Sequence, residues 1–470
     1  MGSGTQTKVL IIGAGKAGRL LDRDIAARHR NVTVLGFVDD APDGRADVVG
    51  MISDLPMLLQ KFQVGELVIA LPSADGATIR RILLTVAKST AEVRMVPREQ
   101  HVLRHNAVTY AGLREVGPDD FLGRPIVKRN LRTVERFYTD KRVLVTGGAG
   151  SIGAEIVQQL LALGVRHVSV YDHSEYACYL LEQFLRERRV GRRRYSIIIG
   201  SVTAPAKVAA TLRRVRPDIV FHAAAYKHVH LMEDNCDEAV LTNIFGTKTM
   251  ADAARAEGVR RFVFISTDKV VHPTSVMGAS KLLAEHYIQS LPAGRTGFSI
   301  VRFGNVINSH GSVLPLFERQ IREHRYITLT SMKMRRYFMS IREAAELVIL
   351  SGTRVTRGDI FVLDMGDLIS LKEVATCLIR SKNLRPEIDV RLRVVGRRPG
   401  EKMVEELFTE RERDRMVRTS LPHVWQLRRS DELPREALQQ TLERLQPLAE
   451  AGASRRVRAI LAESFPSLQR

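Results

Sequence analysis

Short apolar runs recur along this chain, each followed by a stretch in which apolar residues return every three or four positions. The first run, Val9-Leu10-Ile11-Ile12, is bounded by Gly13 and is too short for a helix, so it predicts a buried strand. A glycine-spaced segment, Gly13-Ala14-Gly15-Lys16-Ala17-Gly18, leads into a helical stretch. Further strands are predicted over residues 32–38, ending at Asp39-Asp40, over 66–70, leading to Pro72, and over 93–97. A mixed connector, 101–140, contains Gly117-Pro118-Asp119-Asp120. The pattern then restarts. Arg142-Val143-Leu144-Val145-Thr146 precedes Gly147-Gly148-Ala149-Gly150-Ser151-Ile152-Gly153 and a helix to about Leu163. A strand over 167–171 closes on Asp172, and others follow at 196–199, 219–221, 262–265 and 298–301, separated by helical patterns.

Strand and helix alternating in this way predict the α/β class, with two Rossmann-like doubly wound parallel-sheet domains. The first spans 1–100, the connector 101–140, and the second 141–430. A helical, charged tail over 431–470 carries no readable chemistry.

Composition narrows the reading. At 470 residues the chain suits two domains, and 44% hydrophobic with 26% charged residues reads as soluble and globular. No run approaches the roughly 18 apolar residues of a membrane span, and Met1-Gly2-Ser3-Gly4 is neither a signal peptide nor an anchor. Cys178, Cys236 and Cys377 are far apart and odd in number, which implies neither a metal site nor a disulfide framework and fits a reducing cytoplasm. The net charge is +20, from 72 basic and 52 acidic residues. Arg188-Arg189-Val190-Gly191-Arg192-Arg193-Arg194 invites a nucleic-acid reading. The charge is diffuse, however, and no nucleic-acid-binding signature accompanies it, so a solvated surface is the better account. Such a surface would still attract anionic ligands or an anionic membrane surface.

The chemistry lies in the second domain. Gly147, Gly150 and Gly153 stand between a strand and a helix, where glycine lets the backbone approach a pyrophosphate at a helix N-terminus. Ser151 and Ile152 supply that first helical turn. Asp172 closes the second strand, where a carboxylate accepts ribose hydroxyls and repels a 2′-phosphate, so NAD is expected over NADP. The first fingerprint has the spacing and an acidic strand end at Asp39 but no catalytic residues downstream, and both nucleotide binding and a purely structural role stay open for it.

Thr267-Asp268-Lys269 falls at a strand end. Alone, an Asp-Lys pair could be a surface ion pair. Its place at a strand end, eight residues before a Met277-x-x-x-Lys281 helix, favours chemistry. Lys281 lies one turn from Met277 on the same face and can reach a nicotinamide ribose. His222, Lys227, His228 and His230 cluster after another strand end. Without a completing Cys or carboxylate pattern they fit the lining of a sugar or phosphate pocket better than zinc, and no metal is expected. Arg336 and Arg398 offer guanidinium forks suited to a diphosphate, and Glu401 follows in Arg398-Pro399-Gly400-Glu401-Lys402.

Taken together these motifs resemble the bacterial nucleotide-sugar 4,6-dehydratases of polysaccharide biosynthesis, in the UDP-N-acetylglucosamine C6-dehydratase branch of the extended short-chain dehydrogenases. The resemblance covers residues 8 to about 410. It rests on the 147–153 loop, Tyr171-Asp172-His173-Ser174-Glu175, His222-Ala223-Ala224-Ala225-Tyr226-Lys227-His228-Val229, Ser266-Thr267-Asp268-Lys269, Val276-Met277-Gly278-Ala279-Ser280-Lys281, Arg302-Phe303-Gly304-Asn305-Val306, Arg336-Tyr337-Phe338-Met339 and the 398–402 segment. Asp120-Phe121-Leu122-Gly123-Arg124 resembles the family's interdomain segment.

The resemblance implies a smaller C-terminal substrate-binding subdomain and a lyase cycle with NAD. Hydride leaves C4 of the sugar, a base takes the C5 proton, water leaves C6 with help from an acid, and hydride returns to C6. Asp268 would be the acid and Lys269 the base. Thr267 and Lys281 would assist removal of the C4-hydroxyl proton, because Met277 stands where short-chain dehydrogenases carry a proton-accepting tyrosine and a thioether cannot ionise. Methionine at this position is similar to members that keep the C5 configuration. Ala223 and Ala224 would lie against the cofactor with the 147–153 loop, Asp172 and Lys281. Lys227, His228, Asn305, Arg336 and Arg398 would face the substrate, with Glu401 near the uridine ribose. A UDP-sugar partner, a homo-oligomer and a cytoplasmic location are implied.

Full-length relatives usually begin with several transmembrane helices, absent from this sequence, which leaves open a truncated form, located at the cytoplasmic face of a membrane, or a soluble variant. Ser201, His230, His272, Asn308, His310 and Val404 also depart from the family pattern and bear on the identity of the sugar. The rival readings are a UDP-sugar 4-epimerase, which would not need the Asp268–Lys269 pair, and a non-catalytic NAD-sensing or scaffold protein.

Overall fold

A computed structural model describes residues 6–41, 47–97, 108–124, 131–354, 356–429 and 435–469. The chain start, parts of the expected connector and the first residues of the expected tail lie outside these. The chain forms two units. One is Met1–Val127 with Val313–Met334 and Ile369–Gly396, and the other is Lys128–Ser312 with Arg335–Leu368 and Arg397–Arg470.

The first unit is built on β1 (Thr7–Ile12), α1 (Lys16–Arg28), β2 (Val32–Val38), β3 (Val48–Gly50), α2 (Leu55–Phe62), β4 (Glu66–Ile69), α3 (Gly76–Thr85), β5 (Glu92–Met95) and β6 (Arg114–Glu115). The sheet order is β3-β2-β1-β4-β5-β6, parallel except for β6. Val9, Leu10, Ile11 and Ile12 are fully buried, as a strand covered on both faces requires. Gly13 has φ +103°, and a Cβ on Gly18 would overlap the Gly13 carbonyl oxygen. The Asp39 carboxylate accepts the Ala14 amide at 2.8 Å. Part of the connector is ordered by one acid: Asp120 takes both arms of the Arg114 fork at 2.6 and 2.8 Å and the Gly117 amide at 2.8 Å.

Two segments expected to belong to the second domain, 313–334 and 369–396, group with this unit. Arg380, in the helix Leu371–Ser381, is fully buried and donates to the Ala91 carbonyl. Asn383 accepts the Val93 amide at 2.8 Å. These long-range bonds are invisible to hydrophobic patterning, which is why the sequence did not assign the segments here.

The second unit contains β7 (Arg142–Thr146), α4 (Ser151–Ala162), β8 (His167–Asp172), α5 (Glu175–Glu187), β9 (Tyr195–Ile199), α6 (Pro205–Val215), β10 (Ile219–His222), α7 (Val229–Asp234), α8 (Cys236–Val240), α9 (Gly246–Ala256), β11 (Arg261–Ile265), α10 (Val276–Ser290), β12 (Gly297–Arg302), α11 (Ile341–Ser351), β13 (Arg357–Leu363), β14 (Met416–Arg418), β15 (Val424–Leu427), α12 (Arg435–Glu450) and α13 (Ser454–Ser464). Its sheet order is β14-β15-β13-β12-β11-β10-β7-β8-β9. The strands from β13 to β9 run parallel, and β15 and β14 add an antiparallel edge. Strand order reverses around β7, between β8 and β10, so a crevice opens at the carboxyl ends of these strands. The antiparallel edge was not foreseen, because its short, half-exposed strands carry little periodic signal.

Candidate active site

The loop after β7 is shaped by what its glycines exclude. Gly147 has φ +60°, and a Cβ there would lie 2.6 Å from the Ala224 nitrogen, so the glycine loop and the Ala223-Ala224 backbone pass at closest approach across the crevice. A Cβ on Gly153 would overlap the Gly147 carbonyl oxygen, which seats α4 against β7. Gly150, the N-cap of α4, borders open space apart from the Gly147 oxygen at 3.2 Å from its would-be Cβ. Asp172 is buried at the end of β8, where Oδ2 accepts the Ala149 amide and Oδ1 the Ser174 amide, both at 3.0 Å. A tight glycine cradle, a helix N-terminus and a carboxylate at the adjacent strand end fit a dinucleotide with free ribose hydroxyls. Ile152 is half-buried against the core. Ser151 contacts His310, its hydroxyl accepting the His310 amide at 2.9 Å and lying 3.1 Å from the ring Nδ1.

The end of β11 gathers the charged groups. Asp268 is completely buried. Its Oδ1 accepts the Thr267 hydroxyl and the Lys269 ammonium, each at 2.9 Å, while Oδ2 is buried with no hydrogen-bond partner. Lys269 also donates to Asn305 Oδ1 at 3.1 Å and lies 3.8 Å from Glu405. Burial alone would push the Lys269 pKa down, but the facing Asp268 and Glu405 carboxylates outweigh it and hold the ammonium above its usual range. Glu405, which the sequence reading did not single out, is buried between Lys269 and Arg336, 3.7 Å from the latter, with Oε2 unpartnered. Its only sequence signal was proximity to the 398–402 motif.

Lys281 reaches from α10 to the end of β11. It is buried, donates to the Ile265 carbonyl at 2.7 Å and sits 3.9 Å from the Phe264 ring centre. Burial brings its pKa down to about 7, against an opposing pull from Glu285 one turn along. Glu285 is in turn clasped by buried Arg302, which also bonds Glu412. Met277 is 3% exposed and belongs to an apolar cluster with Met232, Phe245 and Leu283.

The expected substrate residues divide. Asn305 joins the Lys269 cluster. Arg336 is buried and spends its fork on the carbonyls of Lys402, at 2.7 Å, and Met403, at 3.2 Å, so in this arrangement it organises the loop. Arg398 is exposed, and its amide and the Glu401 carboxylate close a turn at 3.4 Å. Lys227 is exposed, and His228 is half-buried against Gly311, where a Cβ would strike its ring. His222 does not line a pocket. It is fully buried, 2.7 Å from the Thr146 hydroxyl and 3.0 Å from that of Thr247, and burial drives its pKa down to about 3, which makes it a neutral core residue. Among the described residues no group of three or more His, Cys, Asp or Glu could hold a metal ion. No helix among them is long and apolar enough to cross a membrane.

A family described as polysaccharide biosynthesis protein matches residues 143–427. The chain belongs to this family. Residues 3–97 match a second one, described as a CoA-binding domain. The chain is 37% identical over 413 residues to the capsular polysaccharide biosynthesis protein CapD of Staphylococcus aureus, covering 86% of this chain and 69% of CapD. Pen from Bacillus thuringiensis superimposes with a TM-score of 0.57 at 37% identity, covering 62% of this chain and 90% of Pen. A double mutant of DesIV from Streptomyces venezuelae, a dTDP-glucose 4,6-dehydratase, solved with NAD and DAU bound, gives a TM-score of 0.51 at 25% identity, covering 58% of this chain and 90% of that one. The fold is that of the NAD-dependent extended short-chain dehydrogenases that include nucleotide-sugar dehydratases and epimerases.

Proposed function

We propose that this protein removes water from a UDP-N-acetyl-hexosamine, in the first place UDP-N-acetylglucosamine, to give the 4-keto-6-deoxy sugar for polysaccharide or glycan synthesis. One observation carries this reading: the Asp268–Lys269 pair at the end of β11, its aspartate fully buried with one carboxylate oxygen left unpartnered. A 4-epimerase has no use for an acid and a base here.

NAD, when bound, supplies a hydride acceptor for C4 and a hydride donor for C6. The glycine loop, Asp172, Ala223 and Ala224 would hold it, and Lys281 would meet its ribose. The residues of the chain then handle protons. Asp268 and Lys269 share one proton. On Lys269 it makes the ion pair; passed across the 2.9 Å hydrogen bond onto Asp268 it makes the acid and the amine that elimination requires. Lys269 takes the C5 proton while Asp268 protonates the departing C6 hydroxyl, which restores the ion pair. Lys269 then returns its proton to C5. The proton released from the C4 hydroxyl, carried by Lys281 or through the Thr267 hydroxyl to Asp268, replaces the one lost in water. Atoms balance: one hydroxyl and one hydroxyl proton leave, and hydride moves from C4 to C6.

Purified protein incubated with UDP-N-acetylglucosamine tests this. The expected product is lighter by one water and carries a ketone. A product of unchanged mass would mean epimerisation, and no product at all would leave a binding or scaffold role.

A further inference from the structure

The C-terminal hairpin, which no motif explains, is built onto the helix that carries Met277 and Lys281. Leu438, Leu442 and Leu445 of α12 and Val457 and Leu461 of α13 share one apolar cluster with Met277. Polar groups fix the register. The Ser454 hydroxyl accepts the Cys236 amide at 2.7 Å and donates to Asp237 at 2.6 Å, and the Ser467 hydroxyl donates to the Pro273 carbonyl at 2.5 Å.

Glu233 of α7 sits between hairpin and helix with its two oxygens committed in opposite directions. Oε1 accepts the amide of Val276, the first residue of α10, at 2.8 Å, and Oε2 meets Arg458 of α13 at 2.6 Å. The first turn of a helix has amides without intrahelical partners. Here Ser275 takes that of Gly278 and Glu233 that of Val276, and a carboxylate is favoured at this end by the helix dipole. The Glu233 side chain is 7% exposed. Holding so buried a carboxylate without a counter-ion is costly, and Arg458 is that counter-ion. Gly400, with φ +76°, packs at the same point: a Cβ there would lie 2.9 Å from Ser275 Cβ and 3.3 Å from Glu233 Oε1. The Gly400 carbonyl accepts the Thr274 hydroxyl at 3.0 Å.

We infer that Glu233 and Arg458 are a positioning pair through which the C-terminal hairpin sets the first turn of the Lys281 helix and, beside it, the loop bearing Arg398 and Glu401. Neither residue touches a reacting atom. They act by fixing where Lys281 and the 398–402 loop stand, and a displacement of about an ångström at such groups costs up to about a hundredfold in rate.

The test compares Arg458→Ala, Arg458→Lys and Glu233→Gln, the last keeping an acceptor for Val276 while removing the charge. Hydrogen exchange is measured on the whole chain without substrate. In Arg458→Ala and Glu233→Gln, amides 276–282 are expected to exchange about tenfold faster, while β7, β8 and β12 keep their protection. The kinetic arm rests on the dehydratase reading. With UDP-N-acetylglucosamine, kcat is expected to fall about tenfold in Arg458→Ala at unchanged NAD content, with partial rescue by Arg458→Lys and by added guanidinium ion. Unchanged exchange at 276–282 in folded Arg458→Ala would overturn the inference. So would a uniform rise in exchange across the sheet, which would make the hairpin a general stabiliser only. If the unmodified protein fails to dehydrate the sugar, the dehydratase reading falls while the exchange result still decides the pair.

Discussion

Lys281 gives a stability prediction with a definite sign. Its folded pKa of about 7 lies below the ordinary 10.5. The difference of 3.5 units corresponds to a penalty of about 5 kcal/mol for holding the charged form in place. Below pH 7 the lysine is charged in both folded and unfolded chains, and the penalty applies in full. Above pH 10.5 it is neutral in both, and the penalty vanishes. Between these limits the unfolded chain binds more protons, so this group makes stability rise with pH, by at most about 1.4 kcal/mol per unit. Lys281→Met removes the charge. It also loses the bond to the Ile265 carbonyl and the contact with Phe264, but those losses do not depend on pH. The measurement is the unfolding free energy of both proteins by denaturant from pH 7.5 to 10. Relative to the unmodified protein, the variant is expected to be favoured at the lower pH, and its advantage should shrink by about 3 kcal/mol across the range. Every other titrating group is common to both proteins and cancels. A difference that stays flat with pH would show that Lys281 keeps an ordinary pKa when folded, and the argument that burial primes it to accept a proton would fail with it.

Four further outcomes are expected. Asp268→Asn and Lys269→Ala should each abolish water loss while NAD stays bound, read by product mass and by cofactor released on denaturation; near-normal turnover in either would refute its role. That released cofactor should be NAD rather than NADP, because Asp172 would face the 2′ position, and mainly NADP would refute this. Glu405→Gln removes one of the carboxylates that raise the Lys269 pKa, so the falling limb of the pH–rate profile, where the pair loses its shared proton, should move to lower pH, and an unmoved limb would exclude Glu405 from tuning the pair. Met277→Tyr should keep the fold and some water loss but lower stability by about 2–4 kcal/mol, since the site is apolar and closed and must take a larger ring and a hydroxyl. Thermal melting and product assay would check it, and unchanged stability would show a cavity or polar partner that the packing does not suggest.

The fold was legible where burial forces a pattern. Strands such as 143–145 and 9–12 are covered on both faces, so their sequences are unbroken apolar runs, and the glycines between strand and helix are required by close approach that any Cβ would block. What was not legible depends on pairing across long stretches of chain. Arg380 and Asn383 bond residues almost three hundred positions away (|i−j| of 289 and 290), and nothing local marks them. The same holds in the site. Thr267, Asp268 and Lys269 are neighbours in sequence, and they come together around one carboxylate. Glu405 joins them from a distant loop, and no spacing could announce it. His222 shows the opposite error: a histidine next to a motif reads as a pocket residue, yet two threonines and full burial make it part of the core.

The position of Met277 links these two kinds of information. A methionine where a proton-accepting tyrosine would be expected is a change of chemistry when read from the sequence. In the fold it is also a change of packing, because the side chain belongs to the apolar cluster that joins α10 to the C-terminal hairpin. With a tyrosine, that face of the helix would have to present a hydroxyl toward the sugar. With methionine it packs as hydrocarbon and thioether, and on the dehydratase reading the groups that would move a proton near C4 are the Thr267 hydroxyl, already bonded to Asp268, and Lys281, whose pKa burial brings down to about 7. On the dehydratase reading, the methionine requires that proton transfer at C4 be handed to the same elements that would perform elimination. That reading ties the two half-reactions to one cluster, and the inferred hold of the hairpin on α10 would then be a condition of the chemistry rather than an appendage to it.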